Sequence, residues 1–247
     1  MNKEYIKEYV TLEKEHWWFI VRKRILSFFL QKHNTQKNLR ILNVGAAGGA
    51  SSQWLAAFGE VVSLESDPFF VEHLLSIKID VVNASVTNMP FANETFDLVC
   101  AFDIIEHVED QLAAIRELER VCKTGGRICL TVPALNILWS HHDEVNGHFR
   151  RYTKASLTGL VLALPSLRLM EIKYFNSLLF LPILMARKFS NMFRPHRIDT
   201  MSDFTGFKVR APISALLQSI FSLEVSLFRN VSFPLGVSLL GIWQKGK

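Results

Sequence analysis

Residues 41–50, ILNVGAAGGA, decide how the fold of this 247-residue chain is interpreted. The apolar stretch 40–44 has the composition of a buried strand, and Gly45 begins a turn of small residues that becomes a helix and ends at Gly59. Small residues at such a turn let the backbone pass close to a ligand. The pattern therefore predicts either a cofactor-binding loop or a plain small-residue turn, and the downstream sequence has to distinguish them.

Strand and helix patterns alternate over residues 40–133. The further strand candidates are EVVSLE (60–65), IDVVNAS (79–85), FDLVCAFD (96–103) and RICLTVP (127–133). Between them lie two helical patterns, DPFFVEHLLS (67–76) and DQLAAIRELERVC (110–122), the first with Asp67 as N-cap and Pro68 at its first position. Such alternation predicts an α/β fold with a parallel sheet and helices on both faces, whose ligands bind beyond the carboxyl ends of the strands.

Glu65 gives the turn a functional interpretation. It ends the strand that follows the turn and lies 20 positions after Gly45, the spacing expected for a carboxylate that accepts hydrogen bonds from the ribose hydroxyls of an adenosyl cofactor. A small-residue turn alone would be weak evidence. Together with Glu65 and the alternating strands, it favours the cofactor loop.

The composition indicates a globular protein. Hydrophobic residues make up 49% of the chain, with 19 Phe, and the three cysteines lie in or beside apolar runs without metal-ligand spacing, which favours reduced core thiols. The charged N-terminal sequence MNKEYIKEYVTLEKEHWWF does not have the pattern of a signal peptide. We therefore expect a cytoplasmic protein.

The C-terminal third is basic and apolar. Residues 170–247 carry 10 Lys and Arg against 4 Asp and Glu, whereas residues 1–169 are close to neutral. We expect no nucleic-acid partner, because no recognition motif accompanies this charge. The longest apolar run of the tail, 175–186, is too short to span a membrane and contains Pro182. An ordinary core helix beneath a basic surface, or peripheral contact with a membrane, would each explain the pattern.

Several blocks together resemble the successive motifs of class I S-adenosylmethionine-dependent methyltransferases. The blocks are ILNVGAAGGASSQWL (41–55), VVSLESDP (61–68), ASVTNMPFANETFDLVCAFDIIEHVED (84–110) and LERVCKTGGRICLTVP (118–133). HWWFIVRKRIL (16–26) and DEVNGHFRRYT (143–153) resemble a bacterial branch of the methyltransferase 11/12-type families. The resemblance implies a Rossmann-like fold with a mainly parallel seven-stranded sheet, and S-adenosylmethionine as cofactor.

The resemblance also implies positions for the cofactor. Gly45, Ala46 and Ala47 would pass beside its methionine portion, Glu65 and the adjacent Ser66 would take the ribose, Ser85 and Val86 would flank the adenine, and Asp103 would lie at the cofactor's edge. The HWWF segment suggests a lid in which Trp18 closes the cleft and Arg22 reaches the methionine carboxylate, although the same aromatics would also suit a helix packed on the body.

Three residues depart from the family pattern. Asn43 stands where Asp is usual, which weakens an expected contact to the cofactor's ammonium group. Ala47 replaces the middle glycine of G-x-G-x-G, and Ser85 replaces the Asp that meets the adenine amino group. None of them adds a charge or a large volume, so we expect a competent cofactor loop.

Residues 139–152, WSHHDEVNGHFRRY, follow the fifth strand of the core at the edge where ligands bind. His148 and His142 are our candidate catalytic bases, which Asp143 or Glu144 would orient, and each also has an ordinary structural interpretation. The candidate acceptor-binding residues are Trp139, His141, Arg150, Arg151 and Tyr152. We predict no metal site from this loop, because the adjacent His141 and His142 should point apart.

The sequence predicts an N-terminal helical lid (1–38) and a methyltransferase domain (39–247) with a core (40–133), an acceptor loop (134–153) and an apolar C-terminal helical part (154–247). The predicted activity is O- or N-methylation of a small-molecule or lipid- or glycan-linked acceptor, with histidine-assisted deprotonation. One alternative is a non-catalytic S-adenosylmethionine-binding partner subunit. The other is a nicotinamide-dependent oxidoreductase, which the sequence G-x-A-x-x-A from Gly45 disfavours because G-x-G-x-x-G is required.

Overall fold

The computed structural model describes residues 3–33, 37–193, 211–228 and 231–246. These residues form a seven-stranded sheet with the order β3-β2-β1-β4-β5-β7-β6. The strands are β1 (Leu39–Val44), β2 (Gly59–Glu65), β3 (Val81–Asn83), β4 (Phe96–Phe102), β5 (Cys122–Pro133), β6 (Leu167–Phe175) and β7 (Ser238–Lys245). All neighbouring pairs are parallel except those of β7, which runs antiparallel to both β5 and β6. The predicted α/β, mainly parallel seven-stranded sheet is confirmed.

Nine α-helices connect or cover the strands within the described residues. They are α1 (Lys3–Glu15), α2 (Trp17–His33), α3 (Ala50–Leu55), α4 (Pro68–Ser76), α5 (Gln111–Val121), α6 (His141–Val145), α7 (Lys154–Leu162), α8 (Phe180–Phe193) and α9 (Ala211–Leu227). Short 3₁₀ turns follow β4 (Ile105–His107) and β5 (Asn136–Leu138).

Local capping chemistry sets several helix starts. Asp67 accepts a hydrogen bond from the Phe69 N–H at 2.8 Å and Pro68 occupies the first turn of α4, as its sequence predicts. Thr153 caps α7 through the Ser156 N–H at 3.1 Å. Both caps fix where the chain leaves the ligand-binding edge of the sheet and turns back along its face.

The sheet is buried on both faces, which explains its nearly continuous apolar strands. In β4, Val99 and Ala101 pack with α5 and α7, while Leu98 and Cys100 pack on the opposite face. That opposite face is covered by α2 and α9, whose large buried side chains include Phe29 and Phe221. The three cysteines are buried and unpaired, as expected for core thiols.

Element boundaries differ from the sequence patterns at two places. The three- to four-residue periodicity of residues 3–32 predicts a helix, but the structure divides it at His16, whose Nδ1 accepts a hydrogen bond from the Trp18 N–H at 3.3 Å and so caps α2. The sequence also predicts that Gly125 and Gly126 close α5, but both lie within β5, because the strand already begins at Cys122. In both cases tertiary pairing determines a boundary that periodicity alone leaves open.

The C-terminal helices expose much of their apolar surface. In α9, Leu217 and Ile220 pack against the core, whereas Ile213, Leu216 and Leu227 are exposed. The spacing of these five residues predicts that they share one helix face, and that face is divided between core and solvent. None of the helices in the described ranges is both long enough and apolar enough to cross a membrane.

The strand order places a crevice at the ends of β1 and β4. Strand β1 is flanked by β2 on one side and by β4 on the other, so the connections leaving β1 and β4 diverge to opposite sides of the sheet. Parallel sheets bind ligands at such a switch point, beyond the carboxyl ends of the strands. Gly45 and Asp103 follow these two strand ends.

Candidate active site at the carboxyl edge of the sheet

A cleft of about 2550 Å³ opens at this edge. It lies between the N-terminal helices α1 and α2, the loops that follow β1, β2 and β4, and the segment after β5. Most of the residues proposed from sequence for the cofactor line it, namely Trp18, Arg22, Gly45, Ala47, Glu65, Ser66, Ser85, Val86 and Asp103. Ala46 is fully buried, and its N–H donates to the Leu64 carbonyl at 3.2 Å, so it contributes backbone to the loop.

The Glu65 carboxylate is fixed by backbone donors. Its Oε2 accepts the Ala47 N–H at 2.9 Å, and its Oε1 accepts the N–H groups of Ser66 and Asp67 at 2.8 and 2.9 Å. One side chain thus joins the loop after β1 to the loop after β2 at the mouth of the crevice. A carboxylate held in this way is pre-organised to accept further hydrogen bonds on its cleft side.

The loop after β1 uses left-handed backbone at three positions, Gly45, Ala47 and Gly49. Gly45 has φ of 70°, and a Cβ there would lie 1.9 Å from Cδ1 of Ile104, so a larger residue would be strained and would displace the Ile104 side chain. Ala47 has φ of 45°, a conformation that costs an L-residue roughly 1 kcal/mol. The departure from glycine at position 47 is therefore accommodated with some backbone strain.

Asn43 is directed away from the cleft. Its Nδ2 donates to the Ser51 and Ser52 hydroxyls, each at 2.8 Å, and these bonds tie β1 to the first turn of α3. Asn43 is almost fully buried and does not belong to the cleft lining. The substitution of the usual Asp therefore has a structural role here.

Glu13 of α1 lies beside the same loop, a neighbour that the sequence analysis did not identify. Its Oε2 accepts the Ala50 N–H at 3.3 Å and would be 2.4 Å from a Cβ at Gly48. Burial raises the pKa of Glu13 to about 7, although the Ala50 N–H and nearby Arg22 favour the ionised form. The three- to four-residue periodicity of residues 3–32 predicts a helix but does not indicate which carboxylate would face the cleft.

Arg22 is half-buried beside Trp18 and paired with Asp103. Its Nη2 forms a short ion pair with Asp103 Oδ2 and donates to Thr131 Oγ1 at 3.0 Å, and its guanidinium lies 4.8 Å from the centre of the Trp18 ring. Its Nε is buried without a hydrogen-bond partner. Trp17, in contrast, packs edge-on against Phe221 in the core, 6.0 Å between ring centres.

A buried ion pair stabilises the segment after β5, which the sequence predicts to bind the acceptor. Asp143 is completely buried and binds Arg151 in a bidentate manner, with Nε to Oδ1 at 2.8 Å and Nη2 to Oδ2 at 3.0 Å. Oδ1 also contacts Nδ1 of His148 at 2.8 Å. Burial opposes ionisation, but His148 and Arg151 together hold the pKa of Asp143 well below its usual range. His148 is thereby fixed in orientation by a permanent carboxylate.

Two further histidines lie near His148. The His142 ring lies 6.0 Å and the His107 ring 4.7 Å from the His148 ring, measured between centres. Asn146 Nδ2 lies 3.2 Å from Nδ1 of His142. Burial and the neighbouring His148 lower the pKa of His107 to about 4. His107 and all three loop histidines line the cleft.

Of the remaining residues predicted to bind the acceptor, some line the cleft and others lie outside it. His141 and Arg151 line the cleft, whereas Trp139, Arg150 and Tyr152 do not belong to its lining. The Tyr152 hydroxyl donates to Gln111 Oε1 at 2.8 Å inside the core, and Arg150 donates to the Glu109 carbonyl at 3.0 Å. The Arg151 guanidinium is paired with Asp143. This geometry gives no support to the predicted contact between Arg151 and an acceptor.

Glu106 is the residue of this region that has no obvious structural role. It is fully buried, and neither of its carboxylate oxygens has a hydrogen-bond partner among the described residues. Burial and the charge of Asp103 raise the pKa of the Glu106 carboxyl well above its usual range. Glu106 lies in the segment IIEHVED (104–110), and the sequence analysis did not identify it as a functional candidate.

Comparison with known proteins gives a consistent family. A model of the methyltransferase domain family matches residues 42–130. A probable S-adenosylmethionine-dependent methyltransferase of Mycobacterium tuberculosis is 26% identical over 125 residues, which cover 49% of this chain and 44% of the relative. A ubiquinone biosynthesis O-methyltransferase of Aliivibrio fischeri is 29% identical over 120 residues, covering 45% and 51%. The chain thus spans about half the length of these curated relatives.

The fold comparison extends over nearly the whole chain. The crystal structure of an S-adenosylmethionine-dependent methyltransferase from Archaeoglobus fulgidus superimposes with a TM-score of 0.60 at 13% identity, covering 96% of this chain and 99% of that one. At this level of identity the likeness establishes the fold.

Proposed function

We propose that this chain transfers a methyl group from S-adenosylmethionine to a small-molecule or lipid- or glycan-linked acceptor, because residues 42–130 match a methyltransferase domain model and a probable S-adenosylmethionine-dependent methyltransferase is among the similar proteins. The observation that carries the proposal is the position of Glu65. Its carboxylate is held by three backbone N–H groups at the switch-point crevice and lines the cleft. A ribose diol is the natural partner of a carboxylate presented in this way.

The residues around the crevice fit the cofactor chemically. Arg22, with a buried and unpartnered Nε, suits the methionine carboxylate, while Glu13 supplies the negative charge for the ammonium group that Asn43 does not provide. Gly45, Ala46 and Ala47 would pass beside the methionine portion. Ser66 would lie by the ribose, Ser85 and Val86 by the adenine, and Asp103, Arg22 and Trp18 would close the inner end.

The chemistry places few demands on the protein. When bound, S-adenosylmethionine supplies an activated methyl group on a sulfonium, and S-adenosylhomocysteine remains after transfer. The chain's own residues have to align the acceptor, exclude water and help to remove the acceptor's proton. We assign the proton removal to the loop histidines, with His148 favoured over His142 because Asp143 fixes its ring. Residues 1–38 would act as the lid and 134–153 as the acceptor loop.

The exposed apolar surface of the C-terminal part motivates a hydrophobic acceptor. Leu181, Met185 and Phe189 of α8 are all more than half exposed, and Phe189 also lines the cleft. Together with Ile213 and Leu216 of α9, they form a surface suited to peripheral contact with a membrane or an apolar ligand. Flotation with anionic vesicles tests this part of the proposal, and protein found only in the unbound fraction would count against it.

Calorimetry with S-adenosylmethionine and mass spectrometry of the purified protein test the central proposal. We expect one cofactor site per chain and a mass increase of one methyl group on an acceptor that co-purifies or is found by screening. Binding without turnover on any acceptor would favour the non-catalytic partner subunit. Binding of a nicotinamide cofactor, with none of S-adenosylmethionine, would favour the oxidoreductase instead.

A further inference from the structure

Glu106 is a buried carboxyl group that has no role in the proposed cofactor site. It lies in the 3₁₀ turn Ile105–His107 directly after β4, is fully inaccessible to solvent, and has no hydrogen-bond partner on either oxygen within the described residues. An unpaired carboxylate in such a place is costly, because burial removes its hydration without replacing it. The fold therefore either keeps this group protonated or provides a cation for it.

Two histidines complete a set of ligand atoms around Glu106. His107 is its neighbour in sequence, and His148 comes from the segment after α6. One ring nitrogen of each histidine and one Glu106 oxygen all lie within 4.8 Å of one another. Ligand atoms bound at 2.0–2.2 Å from one ion are separated by roughly 3.4 to 4.2 Å, so small side-chain rotations would bring all three into coordination.

Both histidine rings also make contacts with the protein that fix their orientation. Nδ1 of His148 contacts Asp143 Oδ1 at 2.8 Å, and Arg151 holds that carboxylate from the opposite side. His107 is hydrogen-bonded to the backbone of Asn146 and Gly147. Metal-binding histidines characteristically donate their second N–H to a carboxylate or a backbone carbonyl, which fixes the tautomer and the ring orientation.

Each of the two arginines near Glu106 already has a carboxylate partner. Arg22 is paired with Asp103, and Arg151 is paired with Asp143. Glu106 faces both ion pairs without joining either, so its ionised form has no cation of its own. A divalent ion placed between Glu106 and the two rings would compensate this charge.

We propose that Glu106, His107 and His148 bind one divalent transition-metal ion at the acceptor side of the cleft. Two imidazoles and one carboxylate suit Zn²⁺, Mn²⁺ or Fe²⁺ better than Mg²⁺ or Ca²⁺, which prefer oxygen ligands alone. Three protein ligands leave coordination positions open. His107 and His148 expose part of their surface to the cleft, with the buried Glu106 in the wall beside them, so an open position would face the acceptor.

The role of the ion rests on the proposed methyl transfer. A hydroxyl oxygen of the acceptor would occupy an open position, and the ion would stabilise its deprotonated form at neutral pH. The proton of the broken O–H bond would pass to solvent water in the cleft. His148 would then assist deprotonation as a ligand, and the acceptor's reacting atom would be oxygen. The sequence predicts no metal site from residues 139–152 alone; the site proposed here also needs Glu106 and His107 from the turn after β4.

Metal titration of the full-length protein tests this site without any acceptor. The chain is treated with a chelator, dialysed into metal-free buffer and titrated with Zn²⁺ by calorimetry and with Co²⁺ by visible spectroscopy. We expect one ion per chain and a Co²⁺ d–d spectrum typical of mixed nitrogen and oxygen ligands. Glu106→Gln should weaken Zn²⁺ binding at least about tenfold, and His107→Gln should do the same.

Two controls make the result decisive. His141→Ala removes an exposed neighbouring imidazole that is not part of the site, and it should leave the Zn²⁺ affinity unchanged. Circular dichroism should show that each variant is folded. The proposal is overturned if the wild-type protein binds no stoichiometric ion, or if Glu106→Gln and His107→Gln bind Zn²⁺ as the wild type does.

The same samples separate this proposal from the proposed function. S-adenosylmethionine binding is measured on the metal-free protein by calorimetry. Cofactor binding without metal binding would reject the metal site and retain the methyltransferase. Metal binding without cofactor binding would retain the site and reject the methyltransferase.

Discussion

Oδ1 of Asp143 lies 2.8 Å from Nδ1 of His148, while the same carboxylate forms a bidentate pair with Arg151 in the protein interior. This contact aligns a cleft-lining imidazole with an aspartate that stays ionised. Such a carboxylate–histidine pair is a recurrent way to fix one tautomer of the ring for acid–base or ligand chemistry.

We expect His148→Ala to lower the methyl-transfer rate by about 100-fold, because removal of the acceptor's proton depends on this ring. His142→Ala should lower the rate less. Neither variant should change S-adenosylmethionine affinity much, since both side chains lie on the acceptor side. Turnover numbers and calorimetric dissociation constants provide the measurements. His33→Gln, remote from the cleft, is the control, and full activity of both loop variants would make the loop purely structural.

Glu65→Gln should weaken S-adenosylmethionine binding by at least about tenfold. The amide cannot accept all three N–H groups of Ala47, Ser66 and Asp67, and each unsatisfied donor costs roughly 1–3 kcal/mol. The matched control is Glu60→Gln, an exposed residue on the same strand, which should bind the cofactor like the wild type. Equal affinities for the two variants would contradict the assignment of Glu65.

S-adenosylmethionine affinity should increase as the pH rises through about 7, the pKa of Glu13, because only the ionised carboxylate attracts the cofactor's ammonium group. Glu13→Gln should remove this dependence and bind like the protonated wild type. Calorimetry at pH 6 and pH 8 provides the comparison, with the exposed Glu15→Gln on the same helix as control. An unchanged pH profile in Glu13→Gln would exclude this role.

Ala47→Gly should stabilise the fold slightly, by about 0.5 kcal/mol, since glycine adopts the observed positive φ without strain. The cofactor affinity should not decrease, because the change only removes a methyl group from the loop. Chemical denaturation measures the free energy of unfolding. The matched control is Ala56→Gly at the C-cap of α3, where φ is −57° and alanine is unstrained, so glycine should give no stabilisation there. A loss of stability in Ala47→Gly would show that the strain inference is wrong.

The buried Glu224 should make stability depend on pH. Burial raises its pKa to about 7, and the facing groups are the backbone N–H donors of Asn176, Ser177 and Leu178. The folded state therefore binds more protons than the unfolded state between pH 4.5 and 7, so stability falls as the pH rises through this window. Relative to wild type, Glu224→Gln should gain about 2–3 kcal/mol between pH 5 and pH 8. Thermal unfolding at both values measures this, and parallel curves would refute it.

The sequence could predict that the residues proposed for the cofactor meet at one edge of the sheet, because the signals are local. The turn after β1 and Glu65 at the end of β2 each belong to a short continuous segment, and adjacent parallel strands bring their carboxyl ends to one edge. The helix caps Asp67 and Thr153, both of which the sequence predicts, are local signals of the same kind. Helix periodicity, by contrast, did not reveal the break at His16 or which face Glu13 would occupy.

The sequence by itself determined the parallel α/β sheet and the adenosyl-type crevice, because strand periodicity, turn chemistry and the spacing from Gly45 to Glu65 are properties of neighbouring residues. Only the tertiary structure decided that Glu106 and His107 meet His148, 41 positions after His107, and that Glu13 reaches the loop at Ala50. These contacts depend on how α1 and the acceptor loop pack across the sheet edge. Such packing is set by the shape and burial of the whole molecule, which no local pattern encodes.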